Sequence, residues 1–87
     1  MVKRMNGEWE IIEGARIFPA WSEIVIGYNP ENEITPYVTW ETNNGFDFYY
    51  GHYCKNRNDA KIDLLERLEN QIAIYKSFFK NNESEEN

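Results

Sequence analysis

His52 and Cys54 stand two residues apart, the closest approach of reactive side chain types in the sequence. On a strand, that spacing puts both on one face. Two ligands are too few for zinc, and no Cys-x-x-Cys or His-x-x-x-His spacing supplies more. His52 therefore reads as a partly buried structural histidine. Cys54 has Lys55 and Arg57 nearby but no positioned base, which makes it a poor nucleophile. Carboxylates are plentiful, yet a glycosidase-type pair needs a cleft, and one helix on a small sheet offers little room for one. The five glycines are scattered singly, so no phosphate-cradling loop is present. The expectation is a protein that is not an enzyme and uses no metal or cofactor.

Charge is the stronger signal. The chain of 87 residues has a net charge of −6, but the charge is unevenly placed. Residues 6–54 hold eight acids against one base, Arg16, whereas residues 55–80 hold six bases against four acids. Glu8, Glu10, Glu13, Glu23, Glu31, Glu33, Glu41 and Asp47 make the front half acidic. Such a surface repels nucleic acid, whose phosphates need lysine and arginine. It attracts a basic protein surface and speeds association with it. Solubility alone would also account for an acidic surface. Tyr49 and Tyr53 suit a base-stacking platform, but the basic frame is missing. Lys55, Arg57 and Lys61 cluster at a helix start, where they oppose the macrodipole and offer one local anion or nucleic-acid contact.

The elements that must position these groups form one small domain over residues 6–80. Fourteen aromatics in a 41% hydrophobic chain can build a core at this size. Glu8 to Glu13 alternates as a strand, with Trp9 and Ile11 on one face. Arg16–Phe18 offers a further short segment, and Trp21 to Tyr28 reads as a strand with Ile24, Ile26 and Tyr28 facing one way. Asn29-Pro30-Glu31-Asn32 is a turn. Tyr37 to Thr42 and Phe46 to Tyr53 form a hairpin around Asn43-Asn44-Gly45. A two-residue turn would set Trp40 opposite Tyr49. A three-residue loop sets Trp40 opposite Phe48 and Glu41 opposite Asp47. The second gives the cleaner split, with Val38, Trp40, Phe46, Phe48 and Tyr50 inward and Tyr37, Thr39, Glu41, Asp47 and Tyr49 outward.

Asn56 is a helix N-cap with Asp59 three residues on. Ala60, Leu64, Leu68, Ile72, Tyr75 and Phe79 then form one stripe, widened by Leu65, to about Lys80. Asp63 and Arg67 pair on the outer side. The expected fold is α+β: an antiparallel sheet of three to four strands, then one long C-terminal helix packed on one face. That helix is longer than a strand, so Ile74, Tyr75, Phe78 and Phe79 overhang the sheet, with Ile74, Phe78 and Phe79 as the candidate contacts. They either pack on the Trp21 and Phe18 region or form a homodimer or partner contact. Residues 1–5 are expected to fray, and residues 81–87 to form a disordered acidic tail.

A single cysteine and no signal-like or membrane-length apolar run read as a cytoplasmic protein. The segment Val38-Thr39-Trp40-Glu41 … Phe48-Tyr49-Tyr50-Gly51-His52-Tyr53, running into a capped helix, resembles short proteins of phages and mobile elements in low-GC bacteria. The likeness spans about residues 36–68, and such proteins include anti-CRISPR and anti-restriction inhibitors. The resemblance implies an inhibitor that occupies a basic nucleic-acid-binding surface of a host protein. No residue is carried over from the resemblance; the acidic balance of residues 6–54 makes Glu23, Glu31, Glu33, Glu41 and Asp47 the expected contacts, with Tyr49 as an apolar anchor. No direct nucleic-acid partner and no membrane is expected. The alternative is an interaction module, dimeric through the helix end.

Overall fold

The computed structural model describes residues 3–86, and the side chains of residues 3–81. Five antiparallel strands follow one another across a single curled sheet in the order β1-β2-β3-β4-β5. They are β1 (Met5–Asn6), β2 (Trp9–Ala15), β3 (Glu23–Tyr28), β4 (Tyr37–Thr42) and β5 (Tyr49–Cys54), followed by α1 (Arg57–Glu86). This is the α+β class expected, with five strands in place of three to four. The extra strand is β1, turned onto β2 through Gly7, whose φ of 60° suits a residue without a Cβ. Arg4 also binds Glu23 through two hydrogen bonds, at 2.9 and 3.0 Å. Expected fraying therefore does not hold at Arg4 and Met5; Met1 and Val2 lie outside the described residues. Arg16–Phe18 forms no strand, because β2 ends at Ala15.

Two cores form, one on each face of the sheet. On one face Ile24 and Ile26 of β3 meet Ala60 and Leu64 of α1, with Ile12, Ala15, Tyr37, Cys54 and Leu68 around them. On the other, Val25, Val38 and Trp40 are covered by Trp9, Ile11 and Phe48. Trp40 lies over Gly27 and Gly51, where a Cβ would stand 2.6 and 2.9 Å from its ring. The sheet thus curls over Trp40 and seals that face without a helix. This reverses the expected faces: α1 packs on the side of Tyr37, Thr39 and Glu41, not on the side of Val38 and Trp40.

The hairpin follows neither expected register. Glu41 pairs with Tyr49 and Thr39 with His52, with a bulge between them. Tyr50, at φ 59°, is the one non-glycine residue with positive φ among those described. The connection over residues 43–48 is longer than expected because Asn44 organises it. Its Oδ1 accepts from the backbone N–H of Phe46 and of Asp47, each at 2.9 Å. Gly45 sits at φ 88°, the left-handed residue that the sequence calls for.

A second bulge, between Ile11 and Glu13 in β2, turns two successive side chains toward the helix. Ile12 enters the core there, and Glu13 reaches Lys61 at 2.7 Å and Arg57 at 3.1 Å. The N-cap is as expected: Asp59 N–H donates to Asn56 Oδ1 at 2.8 Å. The Asp59 carboxylate accepts from the Asn56 side-chain amide at 3.2 Å, being too short to close a full capping box.

Thirty residues of α1 span about 45 Å, whereas a six-residue strand such as β4 spans about 20 Å. The molecule is accordingly 56 Å long, with the second half of α1 projecting past the sheet. The expected tail at 81–87 falls almost wholly on side chains outside the described set, although the helical backbone continues to Glu86. Among the described residues no helix is long and apolar enough to cross a membrane.

Candidate functional site

The register places the connecting segments at two poles. Tyr28 pairs with Tyr37, and Tyr37 with Cys54. One pole therefore holds the β3–β4 loop, the β1–β2 turn and the start of α1. The other holds the β2–β3 and β4–β5 connections and the projecting half of the helix.

At the first pole two asparagines shape the β3–β4 loop. Asn29 Oδ1 accepts from Glu31 N–H at 3.0 Å, and Asn32 Oδ1 accepts from Thr35 N–H at 3.2 Å. Pinned this way, Glu31 and Glu33 are exposed on either side of Asn32. With Glu8 and Ile34 they line a shallow open depression. Ile34 is 78% exposed, an apolar tip among carboxylates. None of these three carboxylates has an ion-pair partner among the described residues. Glu8 was not among the expected contacts. The bend that brings it beside the β3–β4 loop comes from the unanticipated β1–β2 turn.

Two of the other expected acids, Glu23 and Glu41, are already paired. Glu23 has a side chain only 12% exposed and binds Arg4 and Arg16. Glu41 lies under the helix, 3.6 Å from Arg67. Its cross-strand neighbour Tyr49 shares that side, and the Tyr49 hydroxyl is buried without a hydrogen-bond partner among the described residues. Tyr49 is therefore not an exposed anchor. Asp47 is exposed but sits at the opposite pole, accepting from the Asn44 amide at 2.7 Å. The structure brings together Glu31 and Glu33 of the expected set, and separates them from Glu23, Glu41, Asp47 and Tyr49.

Arg57 and Lys61, expected near a local anion contact, are occupied by Glu13. The Lys61 hydrogen bond, against the cost of partial burial and with help from Arg57, holds Glu13 below the usual carboxylate range.

Between the poles the histidine lies at the edge of sheet and helix with its side chain 60% exposed, not partly buried as expected, while Cys54 borders the apolar core. His52 Nδ1 lies 3.0 Å from both oxygens of Asp63, so Nδ1 carries the proton that it donates. Thr39 Oγ1 also donates to Asp63, and Arg67 Nε donates to it at 3.0 Å. The Asp63–Arg67 pair thus faces the sheet, not the outer side as expected. Burial works against the Asp63 carboxylate, but the hydrogen bonds from Thr39, Arg67 and His52 outweigh it and hold its pKa below the ordinary value. Burial and the charges of Asp63 and Asp59 push the Cys54 thiol up, against a smaller pull from Arg67. Its Sγ faces the His52 carbonyl at 3.6 Å. A thiol kept protonated and turned to a carbonyl is a weak nucleophile. No group of three or more His, Cys, Asp or Glu among the described residues is arranged to hold a metal ion.

At the second pole Trp21 stacks on Tyr75 with ring centroids 3.6 Å apart and planes 10° from parallel. Phe18 meets Trp21 edge-on at 4.4 Å. The helix end therefore packs on the Trp21 and Phe18 region, one of the two expected placements. The packing is partial: Ile74 is 66% exposed, Phe78 55% and Phe79 52%. Comparisons with protein-family models, curated proteins and solved structures find no match to this chain.

Proposed function

We propose that this chain works by binding, and that its acidic pole contacts a basic surface on another protein. The observation that carries the reading is the convergence of Glu8, Glu31 and Glu33 around the exposed Ile34. These carboxylates have no cation of their own among the described residues, whereas Glu13, Glu23 and Glu41 are paired. Unpaired carboxylates at an open loop end steer a basic partner and lose little by meeting it. Ile34 adds apolar area at the centre of the contact, and Asn29 and Asn32 fix the loop in advance, which limits the ordering cost of binding.

The partner we propose is a nucleic-acid-binding surface, where carboxylates stand in for phosphates. The resemblance of residues 36–68 to small phage and mobile-element proteins supports an inhibitor of the anti-CRISPR or anti-restriction kind, acting in a host cytoplasm. A single cysteine, Cys54, unpaired and part-buried, fits a reducing compartment.

Capture from a bacterial lysate on immobilised wild-type chain and on a Glu31→Lys, Glu33→Lys chain tests this. The expected partner is retained by the wild type, displaced by added nucleic acid, and lost from the variant. A partner that the variant retains equally, and that nucleic acid does not displace, removes the acidic pole from the function.

A further inference from the structure

The stripe expected along α1 divides in two once the structure is known. Ala60 and Leu64 are buried against β3. Leu65, Leu68, Ile72, Tyr75 and Phe79 form a second row beside them, in which Leu68 still borders the core and Tyr75 is half-buried under Trp21. Their spacing is four steps of three, four, three and four residues, the seam of a helix that packs on another helix. Leu65, Ile72 and Phe79 are 52%, 41% and 52% exposed, and the row borders an apolar groove of about 210 Å³ walled by Ile17, Phe18 and Trp21. Trp21 covers one side of it, stacked on Tyr75 and 6.5 Å from the Phe79 ring, and the side of Leu65, Ile72 and Phe79 stays open.

The charges flanking the row indicate what covers that side. Glu69 and Lys76 lie along one edge of the row, both exposed and neither in an ion pair among the described residues. Seven residues apart on one helix, they are about 10 Å from each other and cannot pair within a chain. A second α1 laid antiparallel, with Ile72 of one copy against Tyr75 of the other, makes four apolar layers. Leu68 then meets Phe79 at both outer layers, and Ile72 meets Tyr75 at both inner ones. The same register sets Glu69 of each copy beside Lys76 of the other, twice by symmetry. A parallel pairing produces no such match, because it faces Lys76 with Gln71 and Glu69 with Leu64. It would also crowd two sheets onto one side, whereas the antiparallel pair carries them at opposite ends.

We infer that the projecting half of α1 is a homodimer seam, occupied by a second copy of this chain in antiparallel register. The dimer points its two acidic poles away from each other, leaving both open. This inference does not depend on what the acidic pole binds.

Sedimentation equilibrium of the full chain over a range of concentrations tests the seam, because association follows mass action. The expected mass is twice the 10.4 kDa of the chain. An Ile72→Glu, Phe79→Glu chain is expected to be monomeric while keeping a cooperative thermal transition, since both positions lie outside the buried clusters. Glu69→Lys alone and Lys76→Glu alone place like charges together and should each weaken association about tenfold. The combined Glu69→Lys, Lys76→Glu chain exchanges the pairs and should recover the wild-type constant. A wild type that stays monomeric at the highest attainable concentration overturns the inference, whatever other helix the groove then accepts. So does a dimer that survives Ile72→Glu, Phe79→Glu, or one that the double charge exchange fails to restore.

Discussion

Arg67 of α1 donates its guanidinium to the carbonyl of Tyr50, the one non-glycine residue with positive φ among those described. The same side chain, 10% exposed, meets Asp63 at 3.0 Å and Glu41 at 3.6 Å. One arginine thus ties the helix to the β5 bulge and to β4 at once. Arg67→Met keeps most of the volume but leaves two part-buried carboxylates facing each other. It should cost about 2–3 kcal/mol in chemical denaturation, below the full penalty for a wholly buried pair because both acids keep some solvent. A loss under about 0.5 kcal/mol, the usual scale of surface substitutions, would show the network to be ornamental.

The positive φ at Tyr50 leads to a second expectation. A left-handed conformation costs an L-residue about 1–2 kcal/mol, which glycine avoids. Tyr50 is 70% exposed, so little packing is lost on truncation. Tyr50→Gly should therefore leave stability unchanged or raise it by up to about 1 kcal/mol, after the added freedom of the unfolded chain is counted. A clear drop in the denaturation midpoint would place weight on the Tyr49–Tyr50 ring contact instead.

Asp63 gives a pH dependence with a fixed sign. Its pKa is depressed in the folded chain, so its contribution is fully present above the unfolded value of about 3.9. That contribution is lost as pH falls through the lower, folded value. Glu13, also depressed, acts in the same direction. Denaturation midpoints followed from neutral to acid pH should fall steeply for the wild type. Asp63→Asn should be less stable at neutral pH and show a shallower acid limb. An unchanged limb would remove Asp63 from the account.

Much of this fold was legible in the sequence, and the largest error concerns the face that the helix covers. The helix start at Asn56, the strand Tyr37–Thr42 and the shared face of Ile24 and Ile26 all follow from local pattern and capping chemistry. The face chosen by the helix does not. Alternation in β4 separates Val38 and Trp40 from Thr39 and Glu41, and the apolar side looks like the one to cover. The apolar side, however, is closed by the sheet's own curl, which sets Trp9, Ile11 and Phe48 over Trp40. The helix brings two charged residues, Asp63 and Arg67, into its packing face, and these need Thr39, His52 and Glu41 as partners. The uninterrupted run Ile24-Val25-Ile26 was the available sign that both faces are buried. The acidic pole was half legible: Glu31 and Glu33 stood in an evident turn, but Glu8 joins them only through a two-residue strand.

The curl itself can be tested at Gly27. A Cβ there would lie 2.6 Å from Trp40 Cζ3 and 3.1 Å from Val38 Cγ1, both within the sealed core. Gly27→Ala should cost about 1–3 kcal/mol, as overpacking does, and shift the tryptophan fluorescence. Wild-type stability in this variant would contradict close contact between Trp40 and β3.

The central claim is that binding belongs to the acidic pole, and a titration of the captured partner tests it most directly. Affinity would be measured at several salt concentrations for the wild type, for Glu8→Lys, Glu31→Lys, Glu33→Lys, and for Asp47→Lys. Asp47 is the control, an exposed acid separated from Glu31 and Glu33 by the length of β4. The account predicts that the triple reversal abolishes tight binding and flattens its salt dependence, while Asp47→Lys leaves both near wild type. Affinity and salt slope unchanged in the triple variant, or lost only in Asp47→Lys, would contradict it.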